Sequence, residues 1–246
     1  MIGRLLILLL AVLAAGPAAA VECRDLAFDG NRYTICEVDA AHEDLRLFLN
    51  DDQGRLLGQF GAVDEKLAGE GKTLAFAMNA GMYHSDRSPV GHYVENGQEL
   101  MRVIPNAGPG NFGLLPNGIF CIRPGRADVI ETLAFLDAKP ACTYATQSGP
   151  MLVIDGALHP RFLPDSSSRY IRNGVGTSAD GSRAVFALSR NAVTFHEFGR
   201  LFRDELKLPQ ALYFDGNISR LYAPQIGWND PGFALGPIVG VAEVNR

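Results

Sequence analysis

The strongest constraint on the fold is a series of Asn-Gly and Asp-Gly pairs that stand between short apolar runs. The pairs are Asn96-Gly97, Asn117-Gly118, Asp155-Gly156 and Asp180-Gly181. Asn, Asp and Gly adopt positive φ more readily than other residues, so such pairs favour tight turns between antiparallel strands. The chain is therefore predicted to be built mainly from β-hairpins.

Strands are predicted for the apolar runs at 45–49, 73–78, 91–95, 99–104, 112–115, 119–122, 151–154, 174–178, 183–189 and 211–214. The stretch from Asp51 to Phe60 is predicted to complete a hairpin with the first of them. Helices are predicted at 63–68 and at 194–208, where Thr194 and Glu197 form a capping box. The fold class is a single β-rich, mixed α/β domain of the α+β type, with a few helices.

The N-terminus has the features of a secretory signal peptide. One charge at Arg4 precedes an apolar run over 5–15 and the small residues Ala18-Ala19-Ala20. The run is shorter than the roughly 20 residues of a membrane span, and Glu22 before Cys23 does not fit a lipoprotein signal. We expect cleavage after Ala20, a mature domain over 21–246 without a stable membrane anchor, and a periplasmic or secreted location.

Charge and cysteine content narrow the classes of partner and compartment. The chain has 22 Lys and Arg against 27 Asp and Glu, a net charge of −5, which disfavours nucleic acid as a partner. A small phosphate-bearing ligand needs only one well-placed arginine. Four cysteines follow the cleavage site, which favours two disulfides in an oxidising compartment, and sequence order suggests Cys23–Cys36 and Cys121–Cys142 among three pairings.

The candidate site is predicted from four glycine-containing blocks, which we expect to converge on one pocket. The blocks are Asn79-Ala80-Gly81-Met82-Tyr83, Gln147-Ser148-Gly149-Pro150, Arg172-Asn173-Gly174-Val175-Gly176 and Asp215-Gly216-Asn217-Ile218-Ser219. Each places a polar side chain beside a residue that permits a sharp turn or a close approach to a ligand. Asp215 follows a predicted buried strand, and Arg172 has the chemistry to bind a phosphate or carboxylate. From residue chemistry alone, a simple turn at Asp215 and a surface ion pair at Arg172 stay open.

Two other chemistries are less well supported. Ser148 is not in a G-x-S-x-G pattern, so a serine-hydrolase nucleophile is disfavoured. His84 and His92 lack metal-ligand spacing and are interpreted as rim or structural residues.

Taken together and in this order, the blocks resemble the phosphodiester glycosidase family, over the chain from about Thr73 to the end. The resemblance depends on the Asn79 to Tyr83 block, on Gln147 to Pro150 with Leu152 and the Asp155-Gly156 turn, on Arg172 with Gly176, and on Asp215-Gly216 with Ser219. Asn217 is a departure, because many members have Asp-Gly-Gly there, and it leaves the identity of the substrate open.

The resemblance implies a hydrolase that cleaves a sugar-1-phosphodiester and takes a small-molecule or glycan substrate. It implies three catalytic residues, of which Arg172 binds the phosphate, Asp215 is the base or nucleophile, and Asn79 hydrogen-bonds sugar hydroxyls or phosphate oxygens, as Ser148 also does. The substrate-binding residues implied with them are Gly81, Gln147, Ser148, Gly149, Gly176, Gly216, Asn217 and Ser219.

Three alternatives stay open at the level of sequence. No cofactor is required, but Asp215 and Asn217 carry oxygen ligands of the kind that Ca²⁺ or Mg²⁺ accepts, so a divalent cation is one possibility. A non-catalytic envelope protein that binds a glycan or sugar phosphate, connected with exopolysaccharide, is another. A generic periplasmic protein whose blocks are ordinary turns is the third, and it predicts no pocket where the blocks meet.

Overall fold

In the computed structural model, which describes residues 21–245, the largest sheet has seven antiparallel strands. With labels that follow chain order, its strands are β1 (Glu22–Phe28), β2 (Asn31–Asp39), β13 (Arg183–Ser189), β12 (Asn173–Thr177), β14 (Gln210–Asp215), β10 (Met151–Ile154) and β11 (Ala157–Leu158), in spatial order. This sheet supplies the arginine and aspartate of the candidate site.

Two five-stranded antiparallel sheets complete the β-structure of the described residues. The second sheet contains, in spatial order, β16 (Trp228–Asn229), β15 (Leu221–Ala223), β4 (Lys72–Asn79), β17 (Ile238–Val244) and β3 (Asp44–Phe48). The third contains β6 (Gln98–Met101), β5 (Tyr93–Glu95), β9 (Tyr144–Ser148), β7 (Gly118–Arg123) and β8 (Arg126–Glu131).

Each sheet packs against one α-helix. The helices are α1 (Phe60–Ala68), α2 (Thr132–Ala138) and α3 (Phe195–Arg200), and α3 continues as a π-helical turn over Leu201–Glu205. A short 3₁₀ turn spans Pro224–Ile226. Separate apolar clusters join α1 to the second sheet, α2 to the third and α3 to the first.

The main core lies where the three sheets meet, and its centre is aromatic. Phe76 of β4, Phe120 of β7, and Phe186 and Phe214 of the first sheet are all fully buried. The Phe76 and Phe186 ring centroids are 4.9 Å apart, and the Phe120 ring lies edge-on to Phe186 at 5.8 Å. Aromatic burial of this kind is a large apolar contribution to stability, and it links all three sheets.

The predicted β-rich α+β class is confirmed, as are most of the predicted elements. Asn96 and Gly97 connect β5 and β6 with φ of 52° and 76°, as a type I′ turn requires. Thr194 caps α3 through the predicted box, since its Oγ1 accepts from the Glu197 backbone N–H at 3.1 Å and Glu197 accepts from Thr194 N at 2.8 Å. The 183–189 strand has the predicted bounds.

Two predictions at 112–118 are wrong for one reason. Residues 112–115 are irregular, and Asn117-Gly118 is not a hairpin turn. The Asn117 side chain is fully buried, donates to the Phe112 carbonyl at 2.9 Å and accepts from the Thr132 hydroxyl at 2.7 Å. The Asn117 side chain therefore hydrogen-bonds the Phe112 carbonyl, which would pair with a neighbouring strand if 112–115 were a strand.

The predicted second arm of the 45–60 hairpin is also wrong. It is reduced to a single bridge between Asn50 and Leu56, and Phe60 begins α1 instead. Its ring is buried beneath that helix with Val63 and Leu67. Because Phe60 is the first apolar residue on the buried face of α1, the helix begins earlier than the sequence predicts.

Both suggested disulfides are present: Cys23 pairs with Cys36 between β1 and β2, and Cys121 with Cys142 beside β7. The predicted signal peptide at 1–20 lies outside the described residues. Over 21–245, none of the helices combines the length and apolar character needed to cross a bilayer.

Candidate functional site

The four glycine-containing blocks come together at one edge of the molecule because strand ends meet there. β4 ends at Asn79, β9 ends at Ser148 and β14 ends at Asp215. β12 begins at Asn173, which lies opposite Asp215 in the antiparallel pair. The end of β14 and the beginning of β12 are therefore adjacent, and this places Arg172 near Asp215.

Two buried asparagines connect these strand ends. Asn173 Nδ2 donates to Asn79 Oδ1 at 2.7 Å, and Asn173 Oδ1 accepts from the Asp215 backbone N–H at 2.9 Å. Asn79 Nδ2 donates to the Ile218 carbonyl at 2.8 Å, while its Oδ1 also accepts from Arg220 N at 2.9 Å. Both asparagines are fully buried. The structure thus places Asn79 behind the 215–220 segment, where it holds the backbone that carries Asp215.

A cavity of about 490 Å³ opens beside this junction. Its walls come from the first, third and fourth blocks and from residues near them, whereas no residue of the Gln147 block lines it. The lining residues are Met82, Tyr83, Val90, Pro109, Gly110, Asn111, Phe112, Ser168, Tyr170, Arg172, Tyr213, Asp215, Gly216 and Asn217. Among these fourteen residues one is a cation, Arg172, and one is a carboxylate, Asp215. The prediction that four blocks converge on one pocket is therefore correct for three of them and wrong for the Gln147 block. The cavity itself disagrees with the alternative in which the blocks are ordinary surface turns, because that alternative predicts no pocket.

Asp215 presents a carboxylate that is held by backbone N–H groups. Its Oδ1 accepts from Gly216 N at 2.6 Å and from Asn217 N at 2.9 Å. Burial raises the pKa of the carboxyl group, and the backbone donors at Asn217, Gly216 and Ile218 oppose this effect. Asp215 therefore combines a fixed orientation with an elevated proton affinity, a combination suited to acid–base chemistry.

Gly216 lets the turn pass directly over a tyrosine. A Cβ at this position would lie 2.0 Å from the Tyr213 hydroxyl oxygen. Contacts below 3.0 Å are not tolerated by a methyl group, so only glycine fits between Asp215 and Asn217 while Tyr213 keeps its place.

Arg172 is almost completely buried, with 1% of its surface exposed. Its Nε donates to the Val193 carbonyl at 2.9 Å and its Nη2 to the Ser168 carbonyl at 3.1 Å. The guanidinium carbon lies 3.7 Å from the centre of the Phe195 ring. Burial lowers the pKa of Arg172, but an arginine stays charged at any physiological pH.

The third nitrogen of this guanidinium, Nη1, is buried and makes no regular hydrogen bond within the described chain, although the guanidinium lies beside the Tyr213 hydroxyl. Among residues 21–245, no carboxylate forms an ion pair with this guanidinium either. Leaving a buried charged donor unpaired is costly, so a wall of the cavity carries an unused cationic donor.

The Gln147 block does not line the cavity, and its side chains bind neighbouring backbone instead. Gln147 Oε1 accepts from His92 N and Ile104 N at 3.0 Å each, and its Nε2 donates to the Ile104 carbonyl at 2.8 Å. Ser148 Oγ donates to the Phe214 carbonyl at 2.9 Å. Both side chains are buried and engaged with the protein itself, so they position the strands around the site.

Two predicted glycines are required by close packing behind the cavity. Gly81 has a φ of +103°, and a Cβ there would lie 2.8 Å from Thr146 Oγ1. A Cβ at Gly149 would lie 2.6 Å from the Asn117 Cβ. They allow the Asn79 and Gln147 blocks to approach neighbouring backbone closely.

The remaining predicted residues are more peripheral. Gly176 lies within β12 beneath α3, where a Cβ would be 2.7 Å from Phe202. Ser219 Oγ donates weakly to the Asp215 carbonyl at 3.3 Å. His92 is buried with Nδ1 3.0 Å from the Met101 carbonyl, and His84 does not line the cavity.

Tyr83 belongs to the first predicted block, but sequence reasoning did not single out Tyr213, Tyr170 or Asn173 as site residues. Tyr213 precedes Asp215 by two residues in β14, and side chains at i and i+2 of a strand share a face, so this alternation was a usable signal. Asn173 stands next to Arg172 within a predicted block. Tyr83 and Tyr170 come to the cavity through irregular segments, for which the sequence offers no periodic signal.

No metal centre is evident in the part of the chain that the structure describes. Residues 21–245 contain no group of three His, Cys, Asp or Glu side chains placed to bind one ion. A cation bound by Asp215 with Asn217 remains an untested hypothesis.

The fold and cavity define an α+β domain with one buried guanidinium and one carboxylate in a shared pocket. The family model for phosphodiester glycosidases matches residues 72–241. The chain therefore belongs to the phosphodiester glycosidase family.

Individual proteins are similar to this chain in sequence or in fold. The uncharacterized protein YigE of Escherichia coli is 34% identical over 208 residues, which cover 84% of this chain and 81% of YigE. The catalytic domain of zebrafish N-acetylglucosamine-1-phosphodiester alpha-N-acetylglucosaminidase, auto-inhibited by its pro-peptide, has a similar fold. That match has a TM-score of 0.63 and 13% identity, and covers 94% of this chain and 85% of the zebrafish domain. A putative exported protein of Burkholderia pseudomallei matches with a TM-score of 0.55 and 11% identity over 86% of this chain and 74% of its own.

Proposed function

We propose that this protein hydrolyses a sugar-1-phosphodiester at the bond between the anomeric carbon and the phosphate oxygen. Water adds to the anomeric carbon, the carbon–oxygen bond breaks, and a sugar and a phosphomonoester are released. The observation that carries the proposal is the buried Arg172 guanidinium, whose Nη1 makes no regular hydrogen bond within residues 21–245, in the same cavity as the Asp215 carboxylate. Family membership supports the reaction class.

Arg172 binds the phosphate in this proposal. Breakage of the anomeric carbon–oxygen bond leaves an additional negative charge on the phosphate, and a preoriented cation stabilises this charge most strongly where water is excluded. The Phe195 ring and the Val193 and Ser168 carbonyls fix the guanidinium before substrate arrives. Little reorganisation is then required during the reaction.

Asp215 acts at the sugar. An oxocarbenium-like transition state is stabilised by a nearby carboxylate, which serves either as the base for water or as the nucleophile. The Gly216 and Asn217 N–H groups hold one carboxylate oxygen, which leaves the other for this task. The anomer released first distinguishes the two routes, because inversion requires direct attack by water.

The dimensions and rim of the cavity are compatible with one sugar and a phosphate. About 490 Å³ is within the range of small-molecule sites. Tyr83 and Tyr170 line the cavity and offer apolar faces for a sugar ring. The two disulfides support action outside the cytoplasm, as does the likeness to a putative exported protein.

Turnover of the methyl diester of N-acetylglucosamine-1-phosphate, within a panel of other sugar-1-phosphodiesters, tests this proposal. We expect Asp215→Asn and Arg172→Lys each to lower kcat/KM by about 100-fold or more. Asp155→Asn is the matched control for the aspartate, because Asp155-Gly156 is an exposed turn between β10 and β11. Arg190→Lys is the control for the arginine, because Arg190 also stacks on an aromatic ring, at 3.8 Å from Trp228, outside this cavity.

Near-wild-type turnover in either site variant would remove that residue from the mechanism. Binding of the diester without hydrolysis would instead favour the non-catalytic glycan-binding alternative. Activity that survives exhaustive chelation would dispose of a metal-assisted route.

A further inference from the structure

Tyr213 is a fully buried tyrosine in the wall of the cavity. Its hydroxyl makes no hydrogen bond of regular geometry within residues 21–245, although the Arg172 guanidinium and the Asn111 amide lie near it and both act to lower its pKa. Buried hydroxyl groups are nearly always hydrogen-bonded, since leaving one unpaired costs free energy. The Tyr213 hydroxyl is therefore an exception, and its position in the cavity wall indicates that a bound ligand is its partner.

The Tyr213 hydroxyl lies near both charged residues of the site. Tyr213 and Asp215 both line the cavity, and the Gly216 backbone passes so close that a Cβ there would lie 2.0 Å from the hydroxyl oxygen. The Arg172 guanidinium carbon is 5.4 Å from the centre of the Tyr213 ring. The unpaired phenol and the unpaired Arg172 Nη1 therefore belong to the same cavity wall.

Packing fixes the Tyr213 side chain as firmly as it fixes the guanidinium. The Phe195 ring meets the Tyr213 ring edge-on at 4.8 Å and is the same ring on which Arg172 stacks. Burial raises the pKa of Tyr213 above its usual range. The nearby Arg172 guanidinium opposes this effect, and the Asp215 carboxylate adds to it. The phenol is thus a neutral, fixed donor at physiological pH.

We propose that the Tyr213 hydroxyl and Arg172 Nη1 together form the phosphate subsite, each donating a hydrogen bond to a different phosphate oxygen. This inference rests on the proposed function and adds to it a second phosphate-binding residue. One guanidinium and one neutral phenol supply two donors but a single positive charge. They match the single negative charge of a phosphodiester, whereas a monoester carries close to two at neutral pH.

Entry of the anion requires the shift of one surface side chain. The Asn111 amide lies close enough to the Tyr213 hydroxyl to lower its pKa, and Asn111 is exposed at the mouth of the cavity. A phosphate oxygen takes the position of this amide beside the phenol.

The test compares Tyr213→Phe with Tyr33→Phe. Phenylalanine removes the hydroxyl and keeps the ring, and Tyr33 is a matched control because it is buried in the same apolar cluster against α3 but lies outside the cavity. Binding is measured by calorimetry for two probes, the methyl diester of N-acetylglucosamine-1-phosphate and uncharged N-acetylglucosamine, and kcat/KM is measured with the diester.

We expect Tyr213→Phe to weaken binding and kcat/KM for the diester by about 10- to 100-fold, as is usual for loss of a hydrogen bond to a charged group. Binding of uncharged N-acetylglucosamine and the unfolding temperature should stay near the wild-type values, and Tyr33→Phe should leave diester binding unchanged. If the hydroxyl had only a structural role, Tyr213→Phe would weaken the binding of both probes equally, and that result would overturn the inference.

The outcomes separate the two proposals. A wild-type protein that turns over the diester, with no loss in Tyr213→Phe, overturns the Tyr213 assignment alone. Selective loss of diester binding in Tyr213→Phe, in a wild-type protein that binds but does not hydrolyse it, supports the subsite and overturns the catalytic proposal. A wild-type protein that neither binds nor cleaves the diester contradicts both.

Discussion

Replacement of Asn79 by alanine separates a structural role for this residue from a direct catalytic one. The Asn79 side chain makes three hydrogen bonds, to the Ile218 carbonyl, to Asn173 Nδ2 and to Arg220 N, at 2.8, 2.7 and 2.9 Å. All three partners belong to the wall that carries Asp215 or supports it. Alanine removes the bonds and leaves buried groups unpaired.

The expected loss of stability follows from these contacts. Each deleted bond with a buried partner costs about 1 kcal/mol or more, so the variant should lose about 3 kcal/mol. For a domain of this size, 1 kcal/mol corresponds to roughly 2–4 °C in Tm, so the midpoint should fall by about 6–12 °C. Thermal and urea unfolding followed by circular dichroism measure this change. Asn217→Ala is the control, since the Asn217 side chain is exposed and its bond to Asp215 comes from backbone N–H.

Activity measured in the same preparations completes the test. We expect Asn79→Ala to lose turnover together with stability, because the Asp215 segment loses its anchor. A variant that keeps the wild-type Tm within about 2 °C and yet loses activity would refute the structural account and return Asn79 to direct contact with substrate.

Three further predictions concern the site and the disulfides. Asp215→Asn should raise Tm at neutral pH while activity is lost. Burial raises the folded-state pKa of Asp215, so the folded protein loses stability as pH rises through that pKa and Asp215 ionises. The Tm difference between the variant and the wild type should therefore vanish below about pH 4, where Asp215 is protonated in both the folded and the unfolded state. Gly216→Ala should lower Tm, because its methyl group would lie 2.0 Å from the Tyr213 hydroxyl. Adding Tyr213→Phe should restore most of the loss, because the next nearest atom, Tyr213 Cζ, is at 3.3 Å. A double variant that is no more stable than Gly216→Ala alone would contradict this contact. Replacing both Cys121 and Cys142 by serine should cost about 3 kcal/mol, as expected for a bridge across 21 residues, and an unchanged urea midpoint would count against it.

The parts of the fold that the sequence predicted well are those with a local cause. The Asn96-Gly97 turn, the Thr194 capping box and the alternating apolar strands are all determined by residues close in the chain. The 112–118 segment was mispredicted because its conformation depends on the Asn117 side chain, which is bound to Phe112 and Thr132. A buried side chain that bonds distant backbone has no local signature.

For the candidate site as well, the sequence predicted features with a local cause and missed those that depend on residues far apart in the chain. The order of the four blocks predicted which strand ends carry polar residues, and the structure brings those ends together. The sequence could not show that Asn79 and Ser148 point into the protein, because their partners, Asn173 and the Phe214 carbonyl, are 94 and 66 residues away. Neither could it show that Arg172 is buried with an unpaired nitrogen, since that depends on α3 and its Phe195 ring.

The central claim is cleavage at the anomeric carbon, and isotope placement tests it most directly. Hydrolysis of the methyl diester of N-acetylglucosamine-1-phosphate in ¹⁸O-labelled water, stopped early and analysed by mass spectrometry, shows which product acquires the label. The account predicts ¹⁸O in the anomeric hydroxyl of the sugar and none in methyl phosphate. Label in the phosphate product would show attack at phosphorus and would contradict the proposed roles of Asp215 and Arg172.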